Sequence, residues 1–427
     1  MSNARGIKSR DAGPLGSGGE IAGKAAPFVM LAFAVIVIPL LQRGGVISIE
    51  SVNQLGRFMC FGIVALGIDM IWGYTGILSL CQAMFFCLGG YAIGMHMALH
   101  GPLDGEGIPR CLFVVTSEVS GFKLPWFWEP FKTLPVAMLL VVLIPGIVAF
   151  IFGYFAFRSR VRGVYFSIIT QATTLGACLV FRRNEMRLCG TNGLTNFETL
   201  AGFDVRTPEV KLGLYILTTL VLAAVYLCCK YLVASRLGRI LIAIRDNESR
   251  LRFSGYQPLY FKCFAFTLAA IIAAIGGMLY APQTGIITPF NMEPEKSIFL
   301  VVLVAAGGRA SLSGAVLGAV VVNYAMAFFT SGTIYNAIFT PKLPEQMNFF
   351  EKVIQFVFGP KGWPFTLGGL YIAVVLYFPD GMIAAWHWLT GASKESHAAS
   401  AGPPASATPP SGPSDNDSAP ALKEAKA

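Results

Sequence analysis

The side chains most able to do chemistry or transmit force lie in SRLGRILIAIRDNESRLRFSGYQPLYFK, residues 235–262. Leu237, Ile240, Leu241, Ile244 and Leu251 recur at helical spacing and give one apolar side. Arg236, Arg239, Arg245, Asp246, Glu248, Arg250 and Arg252 take the other positions, and Gly255 and Pro258 end the helix. Apolar stretches of membrane length flank this run on both sides. Such a short amphipathic helix can rest on anionic headgroups as a basic juxtamembrane segment. It can equally seat on a soluble partner and transmit force. Both readings fit the residues.

Catalytic constellations are absent from the sequence. His96, His100, His387 and His397 have no metal-ligand spacing with Cys or carboxylates, so neither a metal nor another cofactor is expected. No nucleophile elbow is present. Gly18, Gly23 and Lys24 fit Gly-x4-Gly-Lys, but Ala25 stands where a Mg-binding hydroxyl belongs and no strand precedes the motif. Asp69, in GIDMIWGY, is the main ionisable residue within an apolar run, whereas a proton-coupled pump needs a relay of them. It can cap a helix end, meet an arginine, or lie on a pathway.

The apolar runs do carry uncharged polar groups: Ser79 and Gln82, then Ser167, Thr170, Gln171, Thr173 and Thr174, later Gln283, Thr284 and Asn323. Amides and hydroxyls at such depth can replace the water lost by a small neutral or zwitterionic solute. Thr170, Thr173 and Thr174 share one helix face. Ser79, Gln82, Thr170, Gln171, Thr174 and Asn323 form the candidate pathway. Gly89 and Gly90 read first as sites of close helix packing.

The elements that must position these residues follow from composition. Of 427 residues, 55% are hydrophobic and 13% charged, against about a quarter charged in soluble domains. The expectation is an all-α, polytopic bundle of about ten membrane helices, some broken or re-entrant. Expected spans cover 25–41, 57–72, 76–99, 134–157, 163–181, 212–234, 260–283, 297–306, 312–330 and 365–388. Only Gly73, Tyr74 and Thr75 separate the second and third, which implies a tight hairpin or a helix that breaks within the membrane. Trp126, Phe127 and Trp128 read as an interfacial anchor. Cys111 and Cys189 fall in external loops and could pair. Residues 1–24 and 393–427 read as disordered tails around a membrane domain at 25–389. The net charge of +9 needs no nucleic acid, because membrane proteins concentrate Lys and Arg on cytoplasmic loops. With both termini inside, Arg158, Arg160, Arg162, the 235–258 helix and Arg309 all face the cytoplasm.

At six blocks the chain resembles branched-chain amino acid ABC importer permeases. These are GYTGILSLCQAMFFCLGGYAIGM (73–95), RVRGVYFSIITQA (160–172), GTNGLTNF (190–197), SRLGRILIAIRDNE (235–248), GIITPFNMEPEKSIFLVVLVAAGGRASLSGAVLGAVVVN (285–323) and LYFPDGM (376–382). NEMRLCGTNGLTNF (184–197) and VAAGGRASLSGA (304–315) look most like the urea-importer branch. The resemblance implies a permease of the bacterial inner membrane with no enzymatic activity of its own. Its partners would be two cytoplasmic ATPase subunits, a second related permease and an extracytoplasmic solute-binding protein. It makes 235–258 a coupling helix, with Ala243, Ile244, Arg245, Asp246, Asn247, Glu248 and Gly255 seated on an ATPase. Urea is the expected solute, and a branched-chain or other amino acid the alternative. A different class, a stand-alone channel or secondary carrier, leaves the Arg-rich helix unexplained. Two departures stand out: Leu78-Ser79-Leu80-Cys81-Gln82 replaces the family's Leu-Ser-Leu-Gly-His, and Ala310 stands where a Gly is usual.

Overall fold

The computed structural model describes residues 36–101, 124–159, 161, 163–195, 197–330, 368–369, 372 and 381–382. The expected tails, Cys111, Arg160, Arg162 and most of the expected spans at 25–41 and 365–388 lie outside these residues. The helices run α1 (Ile38–Arg43), α2 (Ile49–Ile68), α3 (Gln82–Leu99), α4 (Leu134–Arg158), α5 (Val164–Phe181), α6 (Pro208–Ala234), α7 (Arg236–Phe253), α8 (Pro258–Thr284), α9 (Pro294–Gly307) and α10 (Leu312–Thr330). A π-helical turn, Asp69–Gly73, prolongs α2, and a 3-10 helix, Trp126–Lys132, precedes α4. The chain is a helical polytopic membrane protein. Among the described residues, six helices are long and apolar enough to cross a bilayer, and α9 with α10 adds a bent pair.

Three expected boundaries change. α2 begins at Ile49 rather than at residue 57, because Ser48 caps it through Ser51 N–H (3.3 Å) and Asn53 finds a buried partner in the Gln283 carbonyl (3.1 Å). α3 begins at Gln82 rather than at 76, and the residues before it are unwound. The expected spans at 297–306 and 312–330 are not two independent crossings: α9 and α10 bend by 117° at a short break, as one broken span or a re-entrant loop.

α8 occupies the centre of the bundle, against α2, α3 and α4. Its sequence explains why, since Ala269, Ala270, Ala273, Ala274, Gly276 and Gly277 are all buried and let neighbouring backbones approach. A β-carbon on Gly277 would lie 1.7 Å from the Phe86 carbonyl oxygen, and one on Gly89 would lie 2.0 Å from that of Ala274. Gly89 is therefore a packing residue. α4 and α5 instead expose Leu139, Phe150, Ile151 and Ile168, an apolar surface suited to lipid.

At the end of α8 farthest from α7, short strands tie distant segments together. β1 (Leu194–Thr195) pairs antiparallel with β4 (Ile286–Ile287), while β2 (Thr199–Leu200) and β3 (Phe203–Asp204) form a small hairpin. Arg182 meets Glu293 at 2.5 Å and covers the Phe290 ring. The expected aromatic anchor divides. Trp126 is 83% exposed, but Trp128 is fully buried and donates its indole N–H to the Arg187 carbonyl (3.2 Å).

Candidate functional site

α7 is capped by Ser235, whose hydroxyl accepts the Leu237 N–H (3.2 Å), and it packs Leu241 and Ile244 inward. It is not continuous. Asn247 adopts an extended backbone (φ −160°, ψ 92°), and its side-chain oxygen accepts the Arg250 N–H (3.0 Å), starting a second short helical segment. The expected coupling residues thus part company. Arg245, Asp246 and Asn247 are exposed, and Gly255 (φ +85°) closes the segment as an exposed residue. Ala243 is half-buried and Ile244 buried. Glu248 turns inward, accepting from Arg252 (2.7 Å) and Lys262 (2.8 Å).

Arg245 reaches back into the bundle. Its Nη1 donates to the Gly73 carbonyl at 2.9 Å, and its stem lies against Gly76. This is where the chain breaks after α2. Thr75 donates to the Ile71 carbonyl, Gly76 takes φ +73°, and the backbone runs without helix to Cys81. The GGRAS junction between α9 and α10 closes on the same point. Asp69 Oδ1 accepts the Ala310 N–H (2.7 Å), Tyr74 donates its hydroxyl to the Ala310 carbonyl (3.2 Å), and the Arg309 guanidinium sits 4.5 Å from the Trp72 ring centroid. Gly381, from the LYFPDGM block, approaches Gly308 so closely that a β-carbon would lie 2.3 Å from its Cα. Four segments far apart in sequence meet here. Asp69 Oδ1 serves this junction as an acceptor, while its Oδ2 is buried without a hydrogen-bond partner among the described residues.

The unwound segment is held from α5. Ser167 donates to the Leu78 carbonyl (2.9 Å), Thr174 donates to the Leu80 carbonyl (3.1 Å), and Thr170 accepts the Leu80 N–H (3.0 Å). The hydroxyls of Thr170 and Thr174 thereby replace helical partners that the break removes. Ser79 contacts the Cys81 sulfur (3.2 Å), and Ser297 of α9 accepts the Ala83 N–H (3.3 Å) at the start of α3. Gln82 is 1% exposed, and neither its Oε1 nor its Nε2 has a hydrogen-bond partner among the described residues. The structure thus gathers Ser79, Gln82, Thr170 and Thr174 around one break. Thr173 and Gln171 are half-buried, Thr173 bonds its own helix, and Asn323 commits its amide to the Ala319 carbonyl within α10.

A second polar group lies toward the other end of α2, outside the expected pathway. Asn53 Nδ2 donates to the Gln283 carbonyl, and Gln283 Nε2 donates to Thr218 Oγ1 (2.7 Å). Asn53 Oδ1, Gln283 Oε1 and Arg57 Nε are buried without hydrogen-bond partners among the described residues. One turn beyond Arg57, Phe61 stacks on Phe86 (5.7 Å) and meets Tyr280 (5.4 Å) and Phe299 (6.3 Å). A charge at 57 reads in sequence as a span boundary. The signal that places it deeper is Ser48 as an N-cap before the amphipathic IESVNQLG.

A family model described as the branched-chain amino acid transport system permease component matches residues 51–354. The high-affinity branched-chain amino acid transport system permease protein LivM of Salmonella typhimurium is 24% identical over 341 residues, covering 79% of this chain and 71% of the relative. The probable branched-chain amino acid transport permease protein LivM of Methanocaldococcus jannaschii is 23% identical over 349 residues, covering 79% and 94%. A ribose import permease protein, RbsC of Escherichia coli, is 20% identical over 195 residues, covering 44% and 59%. No solved structure matches. The match over 51–354 takes in the break after α2, the amphipathic helix and the bent pair α9–α10, and with it the chain belongs to the family of branched-chain amino acid transport permease components.

Proposed function

We propose that this chain is the membrane permease subunit of an ATP-driven ABC importer that moves branched-chain amino acids inward by alternating access. The observation that carries the reading is the Arg245–Gly73 hydrogen bond, which joins an exposed amphipathic helix directly to a broken span (2.9 Å). A helix of this kind gives a soluble motor a handle on the membrane domain. The exposed Arg245, Asp246 and Asn247, with Phe253 (92% exposed) nearby, form the face on which one of the two cytoplasmic ATPase subunits seats. ATP is hydrolysed by those partners. A second related permease completes the bundle, an extracytoplasmic binding protein delivers solute, and residues 25–389 form the permease domain in the bacterial inner membrane with both termini inside.

Amino acids are favoured over the urea expected from sequence. The relatives matched over most of this chain are named for branched-chain amino acids, and urea rests on two sequence blocks alone. Ser79, Gln82, Thr170 and Thr174 border the route, where unwound backbone between broken helices offers polar groups at depth. The test is a charge reversal, Arg245→Glu with Asp246→Arg, in the full complex in vesicles. ATP-driven leucine uptake is expected to collapse while the permease remains inserted and assembled. Undiminished uptake would remove α7 from the coupling role. Uptake by this polypeptide alone, without ATP, would replace the importer reading by a channel or secondary carrier.

A further inference from the structure

The polar group around Arg57 has no part in the junction at α7, and its composition matches one class of ligand. Arg57 lies eight residues into α2, about 12 Å along the helix axis, on the side away from α7. An arginine inside a membrane helix is costly and normally meets an acid or a cavity. Among the described residues, no ion pair or hydrogen bond of its guanidinium occurs, and its Nε is fully enclosed. Glu50, two turns back on the same helix, is taken by Lys211 (2.6 Å), and Glu293 by Arg182 (2.5 Å). Two enclosed acceptors without partners, Asn53 Oδ1 and Gln283 Oε1, belong to the same group. Gly56 makes room for the second, since a β-carbon there would stand 2.3 Å from Gln283 Oε1. Phe61, Phe86, Tyr280 and Phe299 supply an adjoining apolar aromatic wall.

We propose that this cluster is a binding site for the backbone of an α-amino acid, in which Arg57 receives the carboxylate. Asn53 and Gln283 accept hydrogen bonds from the ammonium, and the aromatic wall takes the aliphatic side chain. An unpaired cation beside unpaired neutral acceptors is complementary to a zwitterion. A sugar or urea has no full negative charge to offer Arg57. The charged bond to a carboxylate forms only while solute is in place, so the site selects at a step after delivery by the binding protein.

The inference rests on the importer reading, and the experiment separates the two. The complete transporter is reconstituted with its ATPases and binding protein, and uptake of labelled leucine is measured beside ATP hydrolysis for the wild type, Arg57→Met and Arg57→Lys. Loss of a charge-assisted hydrogen bond predicts a fall in leucine uptake of at least about tenfold for Arg57→Met. Arg57→Lys keeps the charge and retains an intermediate rate, and in both variants uptake falls by a larger factor than hydrolysis. Arg57→Met uptake within twofold of wild type overturns the site and leaves the importer reading standing. Equal loss of uptake and hydrolysis in both variants assigns Arg57 a structural role and also overturns it. A wild-type complex that hydrolyses ATP but moves no leucine refutes the reading beneath both.

Discussion

Gly73→Ala is the most direct probe of the junction that joins α7, the broken span and the bent pair. A β-carbon at Gly73 would lie 2.2 Å from Asp69 Oδ1, 2.6 Å from Ala310 N and 2.9 Å from Ala310 Cα. Two of those atoms are backbone, so the carboxylate must give way first. Displacing it breaks the 2.7 Å bond from the Ala310 N–H to Asp69, and leaving a buried donor unsatisfied costs about 1–3 kcal/mol. Forcing a methyl into a closed contact costs about 1–3 kcal/mol more. Both losses follow from one displacement and are not additive, so a total of about 3 kcal/mol is expected. The assay is a thermal-unfolding cycle in detergent with Gly73→Ala, Asp69→Ala and the double variant. Removing the carboxylate first should relieve part of the clash and lower the cost of Gly73→Ala by about 1 kcal/mol or more. An alanine at 73 that leaves the unfolding temperature unchanged, or costs the same in both backgrounds, refutes the packing described here.

Two further substitutions test the same region from opposite sides. Ala310 holds a left-handed backbone (φ +57°), at about 1–2 kcal/mol for a non-glycine residue. Ala310→Gly relieves this at a loss of about 0.4–1 kcal/mol in the unfolded chain. A higher unfolding temperature is expected, with uptake retained because both bonds at this residue use its backbone; a lower temperature contradicts the strain. Gln82→Leu removes an enclosed amide whose two polar atoms have no partners among the described residues. Stability should rise by about 1–3 kcal/mol while leucine uptake falls at least tenfold; normal uptake would take Gln82 off the route.

Much of this architecture was legible in the sequence. α4, α5, α6 and α8 end within a few residues of their expected bounds, because Pro, Gly or charged residues punctuate the apolar runs. The amphipathic α7 was equally plain from its periodicity. What escaped was set by tertiary partners. Glu50, Asn53 and Gln54 read as loop, yet Asn53 is buried on Gln283 and Glu50 is paired with Lys211, so α2 starts two turns early and carries Arg57 inside. Thr170 and Thr174 were legible as polar groups on one helix face, but no local pattern reveals that unwound backbone at Leu80 is what they bind. The inward turn of Glu248 follows from Lys262, fourteen residues on and on the next helix. Ala310 was visible as a departure from the family pattern; its positive φ supplies the physical meaning of that departure.

The short ladder at the far end of α8 has a mechanical consequence. Leu194 and Thr195 are fastened to Ile287 and Ile286, and Arg182 to Glu293, so the tail of α5, the head of α9 and the exit from α8 are clamped at one pole. Under the coupling role proposed for α7, a push through Arg245 would reach the unwound backbone after Gly73 at the opposite pole. The helices would then swing about the clamped pole like tongs about a fulcrum, with the widest travel on the side where α7 protrudes.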